Sequence, residues 1–174
     1  MQIPMIIVHN DSRPPIPDSL RAKLEASDIV LISEWAPQNL ILSHKVTAWF
    51  LTPCGQNSVL EALSHGMPMI GWPAQTDQSI NSMYIGELKH NVGYELLEVQ
   101  DRDETQPLYR GYVPSGTLDA IEKEFRTVLQ KAFGPEGIEK RLNAERFKEK
   151  ISHLWDEDGE ARLELRRFIK DYFS

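Results

Sequence analysis

The residues Thr52-Pro53-Cys54-Gly55-Gln56-Asn57-Ser58 have the types and order of an anion cradle. They join an apolar run, Ala48 to Thr52, to a helical pattern over about 56–65. A strand that feeds a helix through a short turn aims the helix's unpaired N–H groups at one point. With the helix dipole, those groups attract an anion such as a diphosphate. Gly55 permits a tight turn and a close backbone approach. Asn57 and Ser58 add side-chain donors. The same residues also fit a plain helix start, because Ser58 with Glu61 three residues on has the form of a capping box. The segment alone leaves both readings open.

The elements around it decide where such a cradle would sit. Short apolar runs predict strands at Met5 to Val8, Asp28 to Ser33, Ala48 to Thr52, Met67 to Trp72 and Val92 to Val99. Helical patterns fall at Leu20 to Ala26, 56–65, 78–90 and 118–132. In the last of these, Leu118, Ile121, Phe125, Val128, Leu129 and Ala132 share a face, and Gly134-Pro135 stops it. Alternation of apolar strands with helices predicts an α/β fold with a doubly wound, Rossmann-like parallel sheet. Ligands of such sheets sit beyond the carboxyl ends of the strands. The polar segment 101–116 reads as a surface loop. Residues 137–174 read as a charged helical segment with a break near Asp158-Gly159, and Leu165, Phe168, Ile169 and Tyr172 form a stripe on its last helix.

The bulk numbers bound the function. A length of 174 residues predicts one domain, 1–174. Acidic residues outnumber basic ones, 26 to 19, and the net charge of −7 repels a phosphate backbone, so nucleic acid is excluded as a partner. The one cysteine, Cys54, forbids an internal disulfide and fits a reducing compartment. No apolar run approaches about 20 residues, so no membrane span is expected. Met1-Gln2-Ile3-Pro4 has no secretion-signal pattern. The expected location is cytoplasmic, and the sequon Asn10-Asp11-Ser12 reads as a chance match.

The order of motifs from Trp35 to Gln78 carries more information than any one of them. Trp35-Ala36-Pro37-Gln38 ends one strand. Then come His44, the Cys54-Gly55-Gln56-Asn57-Ser58 turn, Glu61, Gly66-Met67-Pro68, Trp72-Pro73 and Asp77-Gln78. This order aligns without a gap to the signature box of the family 1, UDP-dependent glycosyltransferases, and the chain resembles the C-terminal half of that GT-B fold. Tyr94-Glu95-Leu96-Leu97 and Gly116-Thr117 look more like fungal members than plant ones.

The resemblance implies roles for ten residues. Trp35 would stack on uracil, and the backbone of Ala36 would bind its edge. Gln38 and Glu61 would hold the ribose hydroxyls. Gly55, Asn57 and Ser58 would cradle the diphosphate, Gln56 would lie among the donor-binding residues, and Asp77 and Gln78 would bind the sugar. The terminal Gln leans toward UDP-glucose as the donor. The implied function is to bind the UDP-sugar for inverting transfer of a hexose to a hydroxyl of a small lipophilic acceptor. No cofactor or metal is implied. The family's general base is a histidine of an N-terminal domain, so no catalytic residue is assigned here. That N-terminal acceptor domain, and the first, central strand of the C-terminal sheet, are expected to be missing from these 174 residues. The final helix of the family crosses back onto the N-terminal domain. A chain without that domain is therefore expected to be marginally stable and to self-associate.

Two departures stand out. Pro53 replaces the family's phosphate-contacting histidine and offers neither a side-chain donor nor an N–H. Gln56 stands where plant members have Trp. The alternative reading is thus a non-catalytic nucleotide-sugar-binding fragment, or a structural module that lost the donor through Pro53. Asp101-Arg102-Asp103 and Asp156-Glu157-Asp158 read as solvated charge runs, His44 as structural, and Cys54 as a packing residue. His9, His65, His90 and His153 lack metal-ligand spacing.

Overall fold

A computed structural model describes residues 2–10, 14–87, 89–100, 107–108 and 111–173. Among these residues twelve elements follow in chain order: β1 (Met5–Val8), α1 (Asp18–Glu25), β2 (Val30–Ser33), α2 (Gln38–Leu42), β3 (Phe50–Thr52), α3 (Gln56–Ser64), β4 (Met69–Gly71), α4 (Gln78–Gly86), β5 (Gly93–Glu95), α5 (Leu118–Ala132), α6 (Pro135–His153) and α7 (Glu160–Phe173). All strand pairing among the described residues is parallel, as the α/β alternation predicts. The strands form two sheets, ordered β1-β2 and β3-β4-β5. By its contacts the chain divides into two units, Met1–Ile41 and Leu42–Ser174.

In the first unit β1 pairs with β2 in the register Met5 to Val30 through Val8 to Ser33. Helix α1 follows Pro17, whose fixed φ suits a helix entry. None of the described residues of this unit is buried. The strands are apolar but uncovered: Ile6 is 48% and Leu31 59% exposed.

The second unit holds the core. Strand β4 lies between β3 and β5, and all three of its residues are buried. One cluster gathers Leu42, Cys54, Val59, Ala62, Met67, Met69, Ile85, Val92 and Ala144. A second gathers Ile70, Tyr94, Leu96, Val128 and Ala132. Alternation along β4 explains the pair, since Met69 and Ile70 point to opposite faces. Gly71 is required for close packing, because a Cβ there would run into the Ser82 hydroxyl of α4.

Helix α5 matches its expected span. Thr117 is its N-cap, accepting the Ala120 N–H at 3.3 Å. Gly134-Pro135 does more than stop it, for Pro135 also opens α6. The break expected near Asp158-Gly159 separates α6 from α7. No residue of α7 is buried, and its stripe stays exposed, with Phe168 stacking on Tyr172 at 5.0 Å between ring centroids. Strand β5 is shorter than expected. After Glu95 the backbone turns, and the Leu97 and Glu98 N–H groups donate to the Glu124 carboxylate of α5 at 2.8 and 2.9 Å. No helix among the described residues is long and apolar enough to cross a membrane.

Candidate functional site

The turn from β3 to α3 is built on Cys54. Its φ of 67° is left-handed, a conformation that residues with a Cβ avoid. Thr52 secures it: the Thr52 hydroxyl oxygen accepts the Cys54 N–H at 3.1 Å, and the sulfur lies 3.6 Å from the Thr52 carbonyl. Cys54 is fully buried. Burial pushes its thiol up to about 12, against a smaller opposing pull from the Ser82 hydroxyl. It is a packing group and holds no thiolate at neutral pH.

Gly55 was expected to make the tight turn. It does not, because its φ of −59° suits any residue. Its missing side chain matters in another way: a Cβ there would meet nothing within 4 Å, so glycine leaves the mouth of the turn open. The capping-box reading is also corrected. The N-cap of α3 is Gly55, with no side-chain cap bond, and Ser58 is the third helical residue. A serine inside the first turn cannot play the N-cap part of that motif. Gln56, Asn57 and Ser58 therefore form the first turn, where N–H groups lack helical partners. Glu61 lies three residues beyond Ser58 on the same face.

The Gln56 N–H meets a carboxylate. It donates to Asp77 Oδ2 at 3.1 Å, and Asn81 Nδ2 donates to the same oxygen at 2.9 Å. Thr76, left-handed at φ 56°, donates its hydroxyl to Asp77 Oδ1 at 2.9 Å. These bonds hold the Asp77 carboxyl below its usual range; the Thr76 hydroxyl is the largest cause, and Gln56 and Asn81 reinforce it. Asn81 Nδ2 also donates to the Cys54 carbonyl at 2.9 Å. Gln78 turns its amide oxygen back to the loop, accepting the Ala74 and Gln75 N–H groups at 2.9 and 3.1 Å. Its Nε2 is the end suited to a ligand. The second unit thus brings Gly55, Gln56, Asp77 and Gln78 together around the start of α3. Thr76 and Asn81 were missed in the sequence, although Asn81 stands four residues after Asp77 on a predicted helix, where side chains meet.

Trp35, Ala36 and Gln38 belong to the first unit. They do not end a strand, as expected, because β2 stops at Ser33. Ser33 instead bends the chain, donating its hydroxyl to the Trp35 carbonyl at 2.6 Å. The side chain of Trp35 is no core aromatic: it is 74% exposed. Ala36 is half-buried, and Gln38, also half-buried, begins α2. His44 shapes a turn, its Nδ1 accepting the Val46 N–H and its carbonyl the Thr47 N–H.

The remaining expectations fall elsewhere. Asp101-Arg102-Asp103 lies outside the described residues. Asp156 pairs with His153, 2.7 Å from its Nδ1, which raises the imidazole's pKa. Among the described residues no group of three His, Cys, Asp or Glu side chains is placed to hold a metal ion. The described part of the loop 101–116 is anchored by the buried Glu98. This carboxylate accepts the Tyr112 hydroxyl, the Ser115 N–H and hydroxyl at 2.8 and 3.0 Å, and the Gly116 N–H at 3.1 Å. The first of these bonds is the main cause that lowers the Glu98 pKa and pushes the Tyr112 phenol up to about 12.

Known proteins share both the sequence and the fold. Residues 15–106 match the family model described as UDP-glucoronosyl and UDP-glucosyl transferase. UDP-glycosyltransferase eriJ of Hericium erinaceus is 36% identical over 98% of this chain and 35% of its own length. Zeatin O-xylosyltransferase of Phaseolus vulgaris is 33% identical over 88% of this chain and 31% of its own. Among solved structures, Os79 from O. sativa in complex with UDP superposes with a TM-score of 0.73 at 26% identity, over 97% of this chain and 34% of that one. Phytolacca americana UGT2, complexed with UDP-2fluoro-glucose and pterostilbene, gives a TM-score of 0.62 at 28% identity, over 84% of this chain and 30% of that one. The chain spans about a third of the length of each of these relatives. With its gapless motif order, its parallel α/β fold and these matches, the chain belongs to the family of UDP-glucoronosyl and UDP-glucosyl transferases.

Proposed function

We propose that the chain grips the UDP-sugar donor for inverting transfer of a hexose, glucose first among them, to a hydroxyl of a small lipophilic acceptor. The observation that carries this reading is the start of α3, where the Gln56 N–H already holds an anion, the Asp77 carboxylate. A helix start that collects a carboxylate is electrostatically suited to a diphosphate. It would stabilise the charge that builds on the leaving UDP, which accelerates transfer only if the donors are placed beforehand. Gly55 leaves room for the phosphates, with Asn57 and Ser58 beside them. Asp77 accepts from the sugar hydroxyls and Gln78 Nε2 donates to them, a division set by the prior use of the Gln78 oxygen. The exposed Trp35 stacks on the uracil, and Ala36, Gln38 and Glu61 complete the nucleoside contacts. Glucose is favoured by analogy with a structural relative that is complexed with UDP-2fluoro-glucose. The proton of the acceptor hydroxyl is taken by a base that lies outside residues 1–174.

Calorimetry with UDP tests the reading. Trp35→Ala is expected to weaken UDP by about 1–3 kcal/mol, the range for a base stacked on an aromatic ring. Equal affinity in both forms would remove Trp35 from the site. A second reading, a module with impaired donor binding, is favoured by Pro53, which brings no N–H to the turn. Under it, Pro53→His strengthens UDP by about 1.5–3 kcal/mol, the scale of a hydrogen bond to a charged group. No gain would mean that another group already satisfies the phosphate.

A further inference from the structure

Asn81 lies beyond the motif order that ends at Gln78, yet it holds two parts of the site at once. Both hydrogens of its amide are engaged, one on the Cys54 carbonyl and one on Asp77 Oδ2, each at 2.9 Å. The first partner belongs to the turn that opens α3. The second is the carboxylate matched to the sugar.

The lone pairs of Asp77 make the arrangement directional. A carboxylate oxygen accepts about two hydrogen bonds. Oδ2 takes two, from the Gln56 N–H and from Asn81. Oδ1 takes the Thr76 hydroxyl and the carboxylate also accepts the Asp77 N–H, so the tie to the β3–α3 turn runs through Oδ2. Asp77 is exposed, so without these bonds its side chain would sample several rotamers. The two backbones that frame it, Cys54 and Thr76, are both left-handed, a costly conformation that persists where the surroundings over-determine it.

We infer that Asn81 is a positioning residue for the sugar of the donor: it ties Asp77 Oδ2 to the β3–α3 turn and thereby presents the carboxylate to the sugar hydroxyls. This rests on the donor-site reading above and adds to it a residue that acts on the sugar through Asp77. A purely structural tether on the Cys54 carbonyl would instead act on nucleotide and nucleotide-sugar alike, because it would shape only the diphosphate turn.

The test compares UDP with UDP-glucose on the whole chain by calorimetry, with folding of each variant checked by circular dichroism. The quantity read is the ratio of the two dissociation constants, UDP over UDP-glucose. Asn81→Leu should lower that ratio about tenfold, the effect of one charge-assisted hydrogen bond. In an Asp77→Ala background the same substitution should leave the ratio unchanged, because its partner is gone. If Asn81→Leu does not fold, Asn81→Asp, which keeps the size and removes the donor, carries the same expectation. Equal weakening of both ligands overturns the inference, as does an undiminished effect of Asn81→Leu on the ratio without Asp77. A wild-type chain that binds UDP and UDP-glucose equally also overturns it, while the nucleotide site stands. Binding of neither ligand defeats the donor-site reading, and the inference falls with it.

Discussion

The two units use the same kind of residue to opposite effect. Strand β1 is Met-Ile-Ile-Val and β4 is Met-Ile-Gly, and both lie in apolar runs. In the second unit Met69 and Ile70 are 0% and 2% exposed, while in the first Met5 and Ile6 are 45% and 48% exposed. An apolar run therefore specifies a strand without specifying burial. Burial requires a neighbouring layer, which α3, α4, α5 and α6 supply around β4. The difference extends to function. The Gln56–Asp77–Asn81 network stands on the unit with a packed core, which pre-sets its geometry. Trp35 stands on the unit with none.

The largest expected effect tests where stability resides. Met69→Ala should destabilise by about 2–5 kcal/mol, the cost of emptying a filled core site. Leu31→Ala, on the uncovered sheet, should change stability by about 0.5 kcal/mol. Urea unfolding of both variants measures the contrast, and equal costs would break it.

A smaller effect separates packing from function within the second unit. Gly66 has φ +68°, and a Cβ there would stand 2.7 Å from the Glu145 carboxyl carbon. Gly66→Ala should cost about 1–2 kcal/mol for the left-handed backbone, with a further shift of Glu145. Gly55→Ala should cost less, about 0.5–1 kcal/mol for a poorer N-cap, since its φ is ordinary and its Cβ has open space. It should weaken UDP instead. A Gly55→Ala chain with unchanged UDP affinity would show that the open mouth is not where the phosphates approach.

The smallest effect concerns acid. The folded-state pKa of Glu98 lies below the ordinary 4.5, with the Tyr112 hydroxyl as the main cause. Its ionised form is thus favoured in the fold. That contribution is complete above about pH 4.5 and fades as pH falls through the folded value. Glu124 opposes it, since burial raises its pKa and protonation relieves that cost. Glu98→Gln should lower the urea midpoint at pH 7, and the gap to wild type should narrow at pH 3.5. A gap independent of pH would mean that Glu98 acts through packing alone.

Much of the fold was legible. Helix α5 was read to its ends because a 3.6-residue apolar repeat and a Gly-Pro stop agree on it. Helix α2 was missed, since five residues are too few to show a period. The shortening of β5 was hidden because Glu124, remote in sequence, captures the N–H groups that a longer strand would have used. The candidate residues divide the same way. Trp35, Gly55, Asp77 and Gln78 could be named from their order along the chain. Thr76 and Asn81 could not, because their significance lies in which oxygen of Asp77 each one touches.

By itself the sequence determined the elements, the parallel α/β class and the motif order that marks a UDP-sugar transferase. These depend on periodicity and spacing, which are local. Only the tertiary structure decided that Cys54 rather than Gly55 takes the left-handed turn, that β4 is buried and β1 is not, and that the Asp77 carboxylate meets the start of α3. Those outcomes depend on which surfaces and dipoles come within hydrogen-bonding or van der Waals reach, and Gln56 reaches Asp77 only once β3, β4 and α4 are assembled.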